Sequence, residues 1–312
     1  MSVPRQFAVI LCAHNGGMYI DEQLSSLSQQ TRAPDFVEVH DWNSADNTVS
    51  RVSAWLDEVD HPDTCRLIEH DSSPGPTHSF IAASRIALNN NPSATHFMFC
   101  DQDDIWHGQR IERYERVLEE SKRDIHLLFS DARVVDELGQ LIHSSFYKHR
   151  RSPYTFPVDL ESPDIALVNP ALGFTLCLSR HLLELLLSHA SAPWQMHDWG
   201  AVILCRVYGL DSLFLPEALA DYRQHSNNLR GAPSMAGIRE RVARLGSRMQ
   251  YLSALNRWKA ELHDSKATTA SVIPKNKSAA ILAVLQSRNL KLWYRLLLCS
   301  ILLVIKVGVD SL

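Results

Sequence analysis

Phe7-Ala8-Val9-Ile10-Leu11-Cys12-Ala13-His14-Asn15-Gly16-Gly17 opens the chain with a short apolar run that ends abruptly in polar residues and two glycines. An apolar run of this length without alternation reads as a strand buried on both faces. The same unit recurs outward from it. Phe36–Asp41, Cys65–His70, His96–Asp101 and Ile125–Ser130 read as further strands, and Asp21–Gln30, Asn47–Val59, Thr77–Asn89 and Gln109–Glu120 as the amphipathic helices between them. This βαβα rhythm predicts an α/β fold: a mainly parallel, Rossmann-like sheet with helices on both faces and ligands at the carboxyl ends of the strands. The polar stretch from about 140 to 165, with Lys148, Arg150, Arg151, Pro153, Pro157 and Pro163, is expected to be a mobile loop. Regular structure then resumes with a strand over Gly173–Ser179, helices over Arg180–Leu187 and Asp198–Tyr208, and a last strand over Leu219–Tyr222.

With 312 residues and 45% hydrophobic content, the chain can bury a full-sized core, which excludes a disordered protein. Its net charge of −4 hides a division. Residues 1–225 carry 17 Lys/Arg against 31 Asp/Glu, and residues 226–309 carry 14 against 3. An acidic body with a basic arm suits an anionic partner, and a membrane surface is favoured here over nucleic acid. The six cysteines are singletons without metal or redox spacing and read as buried hydrophobes in a reducing compartment. Phe7–Cys12 is too short for a signal-peptide core, so a cytoplasmic location is expected.

From Asn227 onward the pattern is helical and basic. The apolar stretch Leu296–Ile305, bounded by Arg295 and Lys306, is shorter than the roughly 20 residues a spanning helix needs. It reads either as a helix packed on the core or as an interfacial membrane helix. The absence of Asp and Glu from Ser265 to Val309 favours the second, because a solvated face mixes both signs.

Three predicted strands end in polar clusters: Ala13-His14-Asn15-Gly16-Gly17, Asp41-Trp42-Asn43-Ser44-Ala45-Asp46 and Asp101-Gln102-Asp103-Asp104. The carboxylates of the last cluster repel one another and resist burial together unless a cation neutralises them. Oxygen ligands suit Mg²⁺ or Mn²⁺ bridging to substrate phosphates. The plainer reading is a solvated acidic turn before the helix near Gln109.

The segment from Cys12-Ala13-His14-Asn15-Gly16-Gly17 to Ser28-Gln29-Gln30-Thr31 resembles the opening strand and helix of family 2 glycosyltransferases, particularly their rhamnosyltransferase-like bacterial branch. Asp101-Gln102-Asp103-Asp104-Ile105-Trp106 resembles that branch's metal-site signature, His197-Asp198-Trp199 its acceptor-side motif, and Tyr222-Arg223-Gln224-His225-Ser226-Asn227-Asn228 its closing motif. Four motifs in order over about 215 residues are more specific than any one alone. The resemblance implies a GT-A fold over 1–225, with a nucleotide-sugar half (1–131), an acceptor half (132–225) and a basic helical extension (226–312). It also implies a nucleotide diphosphate sugar donor, a divalent metal (Mg²⁺ or Mn²⁺) and inversion at the anomeric carbon.

By the same resemblance, Ala13, His14 and Asn15 would line the nucleoside pocket with Asp41, Trp42 and Asp46, and Gln102 would adjoin them. Asp101 would lie by the ribose or metal, Asp103 would hold the metal, and His225 would reach the metal or diphosphate. Asp198 would be the general base that deprotonates the acceptor hydroxyl, while also capping the helix that follows. The implied donor is a deoxysugar nucleotide such as dTDP-rhamnose. The implied acceptor is lipid-linked or a polysaccharide of a bacterial surface glycan, at the inner face of the cytoplasmic membrane.

One position departs from the pattern. His40-Asp41-Trp42 stands where the family usually ends its second strand in two aspartates, so Trp42 could stack on the base, alter donor preference or mark a weakened site. Two other readings compete: an inactive, glycosyltransferase-like binding subunit, and a sugar nucleotidyltransferase. The second should carry a basic, Gly-rich triphosphate loop, and Cys12–Met18 has no Lys or Arg.

Overall fold

The computed structural model describes residues 4–59, 64–149, 154–225, 250–262 and 273–304. The first half runs β1 (Phe7–Ala13), α1 (Ile20–Ser28), β2 (Phe36–Trp42), α2 (Thr48–Glu58), β3 (Cys65–His70), α3 (Pro76–Asn90), β4 (His96–Asp101), β5 (Ile105–Trp106) and α4 (Arg110–Glu120). It continues with β6 (Ile125–Val135), β7 (Leu141–His143), β8 (Cys177–Ser179), α5 (Arg180–Ser188), α6 (His197–Tyr208) and β9 (Asp211–Arg223). Beyond these lie helical residues 250–260 (α7), α8 (Lys277–Leu285) and α9 (Leu292–Val304).

Among the described residues the strands form one mixed sheet in the order β3-β2-β1-β4-β8-β6-β9-β5, with β7 added to β6. β1, β2, β3 and β4 are mutually parallel. β8 then pairs antiparallel with β4 and with β6. The direction therefore changes beside β4, the strand that ends in Asp101.

Alternate residues of the central strands enter two different cores. Ala8, Ile10, Phe97 and Phe99 face one, together with α3, α5 and α6. Phe7, Val9, Leu11, Met98 and Cys100 face the other, with α1 and α4. This two-sided burial is why β1 and β4 are apolar throughout instead of alternating. Tyr251, Leu252 and Leu255 of α7, Ala280 and Val284 of α8, and Leu298 and Leu302 of α9 complete the first core.

The sheet differs from expectation in its second half. Gly173–Ser179 divides into a 3₁₀ turn (Gly173–Thr175) and the short β8. β9 is much longer than Leu219–Tyr222 because it passes through Pro216 at a bulge, where its pairing with β6 jumps from Ser130↔Leu215 to Asp131↔Ala218. The stretch expected to be a mobile loop is packed where it is described: Tyr147, Val158, Leu160 and Ile165 are buried. Arg150, Arg151 and Pro153, and Ser226, Asn227 and Asn228 of the closing motif, lie outside the described residues.

Candidate active site

The loops after β1 and β2 interlock. Gly16 N–H donates to Thr48 Oγ1 and Gly17 N–H to Asp46 Oδ2, both at 2.9 Å. Asn15 N–H donates to Ser44 Oγ, and its own Oδ1 accepts from Ala45 N–H, both at 2.8 Å. A Cβ on Gly16 would collide with the Gln102 amide and one on Gly17 with the Asn47 side chain, so a larger residue at either position would displace the polar side chain packed there. Gln102 grips both backbone groups of His14, accepting from its N–H at 2.8 Å and donating to its carbonyl at 3.1 Å. His14, Asn15, Asp46 and Gln102 thus form one surface at the carboxyl ends of β1, β2 and β4, whereas Ala13 is buried in the core beneath it. Partial burial opposes ionisation of Asp46, but hydrogen bonds from Thr48 and Gly17 outweigh it and hold the carboxyl below its ordinary range.

Asp41 lies beneath that surface. Its Oδ2 accepts from Ser44 N–H at 2.9 Å, whereas Oδ1 is buried and has no hydrogen-bond partner among the described residues. An orphaned buried acceptor is costly. Trp42 is different. It is 5% exposed, with its indole stacked on His70 at 3.7 Å, which leaves little of the ring for a nucleobase. Its carbonyl accepts from His14 Nδ1 at 2.7 Å.

The acidic turn between β4 and β5 separates its carboxylates by role. Asp104 is buried, and its Oδ1 accepts from Arg223 N–H at 3.0 Å. Asp103 Oδ2 faces His225 Nε2 at 2.7 Å. Tyr19 stacks on the same imidazole at 4.8 Å between centroids. Burial, with the neighbouring charges of Asp103 and Asp198, pushes the Asp101 carboxyl up to about 8. The strain is electrostatic: among the described residues no Lys or Arg pairs with Asp101 or Asp103. A divalent cation suits these oxygens. Among the described residues no three such side chains converge to enclose an ion, so the protein offers a partial shell of the kind that phosphates and water complete.

Arg223 holds this arrangement, and no role was expected for it. Buried at the end of β9, it donates through Nε to Asp103 O at 3.0 Å, through Nη1 to Glu137 O at 2.9 Å and through Nη2 to Glu22 Oε2 at 2.7 Å. Beneath the turn, the buried Arg110 stacks on Trp106 at 3.7 Å and donates to Phe174 O at 2.7 Å. Tyr114 donates to Thr175 O, also at 2.7 Å. The acidic turn and the 173–175 turn are thereby fixed to one helix, α4.

The 173–175 turn backs Asp198. A Cβ on Gly173 would lie 3.3 Å from Asp198 Oδ2, and the same oxygen accepts from Asn169 Nδ2 at 3.0 Å. Asp198 lies in the first turn of α6, whose N-cap position is Met196, and its Oδ1 accepts from Trp199 N–H at 2.7 Å, so it satisfies a helix N-terminal donor from inside the first turn. His197 points the other way, buried between Phe80 and Phe99, and burial pulls its pKa down to about 3. It is a neutral packing ring. The sequence signalled neither Asn169 nor Gly173, because their importance comes from long-range packing against α6.

The sequence model of glycosyl transferase family 2 matches residues 8–169. The chain belongs to that family. An uncharacterized glycosyltransferase of Nostoc sp. is 23% identical over 252 residues, covering 80% of this chain and 74% of the relative. Among solved structures, S. aureus TarS 1-349 in complex with UDP superposes with a TM-score of 0.54 at 17% identity, covering 82% of each chain. The mannosyltransferase PcManGT from Pyrobaculum calidifontis, in complex with GDP-Man and Mn²⁺, superposes with a TM-score of 0.56 at 17% identity, covering 99% of this chain and 78% of that one. The family 2 chain thus has the GT-A fold, and Asp101, Asp103, His225 and Asp198 lie at the carboxyl edge of its sheet.

Proposed function

We propose that this glycosyltransferase moves a sugar from a nucleoside diphosphate donor to an acceptor hydroxyl with inversion at the anomeric carbon. The observation that carries this reading is the contact of Asp103 Oδ2 with His225 Nε2 at 2.7 Å, just beyond the ends of β4 and β9, next to Asp101, whose carboxyl is raised by burial and by the charges of Asp103 and Asp198. Asp103, with Asp101 and His225 beside it, would supply part of the shell of Mg²⁺ or Mn²⁺, and the diphosphate and water would supply the rest. When bound, that ion supplies stabilisation of the charge that grows on the leaving diphosphate. The orphaned Asp41 Oδ1 would accept from the nucleobase or ribose, and the surface of His14, Asn15, Asp46 and Gln102 would border the nucleoside.

Asp198 takes the proton of the acceptor hydroxyl as its oxygen attacks the anomeric carbon from the face opposite the leaving group. A bond forms from acceptor oxygen to carbon as the bond to the phosphate oxygen breaks, which inverts the centre without a covalent enzyme intermediate. Asn169 donates to one oxygen of Asp198 and so orients the carboxylate. The rhamnosyltransferase-like motifs favour a deoxysugar donor such as dTDP-rhamnose, whereas the similar solved structures hold UDP or GDP-mannose. The acceptor is lipid-linked or a polysaccharide of a bacterial surface glycan, built at the inner face of the cytoplasmic membrane.

Asp198→Asn tests the chemistry. It preserves size but cannot take a proton at neutral pH, so donor binding should survive while transfer falls by roughly 10²–10⁴. NMR of the product should show the inverted anomer. Wild-type turnover by the variant, or a retained anomer, would refute the mechanism.

A further inference from the structure

α8 and α9 form an antiparallel hairpin. Arg295 of α9 donates through Nη1 to Leu285 O at the end of α8, at 3.2 Å, and Cys299 Sγ lies 3.9 Å from Ile281 O. The inner side of the hairpin, Ala280, Ala283, Val284, Leu298 and Leu302, is buried against the body. The outer side is also apolar. Leu282, Leu285, Leu292, Trp293 and Leu296 are all 48–66% exposed. Leu282 and Leu285 lie one turn apart on α8, Leu292, Trp293 and Leu296 lie within about one turn on α9, and the contact of Arg295 with Leu285 O brings the two sets to neighbouring parts of one hairpin. So many exposed large apolar side chains on one hairpin are of a kind soluble proteins rarely leave open to water.

The charges select the partner. The sequence from 265 to 309 has seven Lys/Arg and no acidic residue, and of these Lys275, Lys277, Lys291 and Arg295 lie on the described hairpin, while Arg288 is paired with Asp159 at 2.8 Å. A second copy of the chain on this face would set cations against cations across a two-fold interface, which repels. An anionic lipid surface takes both features together, leucines and Trp293 into the acyl boundary and ammonium and guanidinium groups to the headgroups. At 1.5 Å per residue, the 13 residues of α9 extend about 20 Å, short of the roughly 30 Å hydrocarbon layer. Among the described residues no helix is long and apolar enough to cross a membrane.

The loop joining the two helices is tied to the acceptor half. Ser287 Oγ donates to Asp164 Oδ2 and Asn289 Nδ2 to Asp159 O, both at 2.8 Å. Ile165, next to Asp164, accepts from Trp199 Nε1 at 2.7 Å, one residue from Asp198. We infer that the outer face of the α8–α9 hairpin is an anionic-membrane docking surface, wired through residues 159–165 to the helix that carries Asp198. The inference sharpens the membrane placement proposed above but is read out without transfer, so the two stand or fall separately.

The test is sedimentation of the full chain with vesicles of phosphatidylcholine alone or with phosphatidylglycerol. Binding should require the anionic lipid and weaken several-fold in high salt. Trp293→Glu and Leu296→Glu should each lower the bound fraction by about tenfold at unchanged melting temperature. Leu141→Glu, an exposed apolar position outside the hairpin, should bind normally and so control for added charge. Equal binding to neutral vesicles, or hairpin variants that bind like wild type, would overturn the inference. So would a stable dimer that Leu296→Glu dissociates, since it would give this face to a second copy.

Discussion

Asn169 Nδ2 donates to Asp198 Oδ2 at 3.0 Å, and Asn169 Oδ1 in turn accepts from Ala171 N–H at 3.1 Å. The second bond fixes which way the amide faces, so a donor points at the carboxylate. Asn169→Ala should lower kcat by about 10- to 100-fold, the range of a hydrogen bond to a charged group, with donor affinity unchanged. Asn169→Asp should be worse, because it sets a second negative charge against Asp198. Steady-state kinetics beside donor titration separates the two effects. A loss confined to donor affinity would remove Asn169 from the acceptor side.

Arg223 should behave as the clasp of the metal region. Its guanidinium meets three acceptors on three segments, Asp103 O, Glu137 O and Glu22 Oε2. A lysine ammonium cannot span that fork. Arg223→Lys is expected to lower stability by about 1–3 kcal/mol in urea unfolding and to weaken metal-dependent nucleotide binding. Stability and binding at wild-type levels would show that the clasp is dispensable.

Asp221 gives a pH prediction away from the acidic turn. It accepts from Arg133 Nε and Nη2, both at 2.6 Å, and from His107 Nε2 at 2.8 Å. Burial works against its ionisation, yet His107 and Arg133 overcome this and pull its pKa down to about 2 from 3.8. With the folded value depressed, the stabilisation is fully present above pH 3.8 and is lost as pH falls toward 2. Asp221→Asn should therefore cost about 1–2 kcal/mol at pH 7, a figure reduced by solvent screening of the half-exposed Arg133, and the gap should shrink markedly at pH 3. A gap independent of pH would assign the effect to packing.

The first half of the fold was legible because its central strands β1 and β4 are nearly unbroken apolar runs buried on both faces, and each is followed by a polar break. The four motifs were legible because the sheet brings its strand ends together. The second half was less so. Pro216 masked the continuity of β9, and the two-residue β5 is too short to show periodicity. At Trp42 the sequence allowed stacking on a base, whereas β2 buries Glu38, His40 and Trp42 in a row, and His40 Nδ1 approaches His70 Nε2 at 3.0 Å beneath the indole. That row depends on pairing with β3, so no local pattern could announce it. Arg223, Asn169 and Gly173 were hidden for the same reason: each acts on a partner at least 25 residues away.

The central claim is that Asp103 and its neighbours bind a nucleotide diphosphate sugar through a divalent cation. It is tested most directly by thermal shift of the full chain against UDP-, GDP- and dTDP-sugars, with Mn²⁺ or with chelator. A ligand bound to the folded state at a hundredfold excess over its Kd adds about 2.7 kcal/mol, which appears as several degrees in Tm. The account predicts that at least one donor raises Tm only when the cation is present, and that Asp103→Asn abolishes the shift. An equal shift in chelator, a full shift in Asp103→Asn, or no shift with any nucleotide sugar would contradict it.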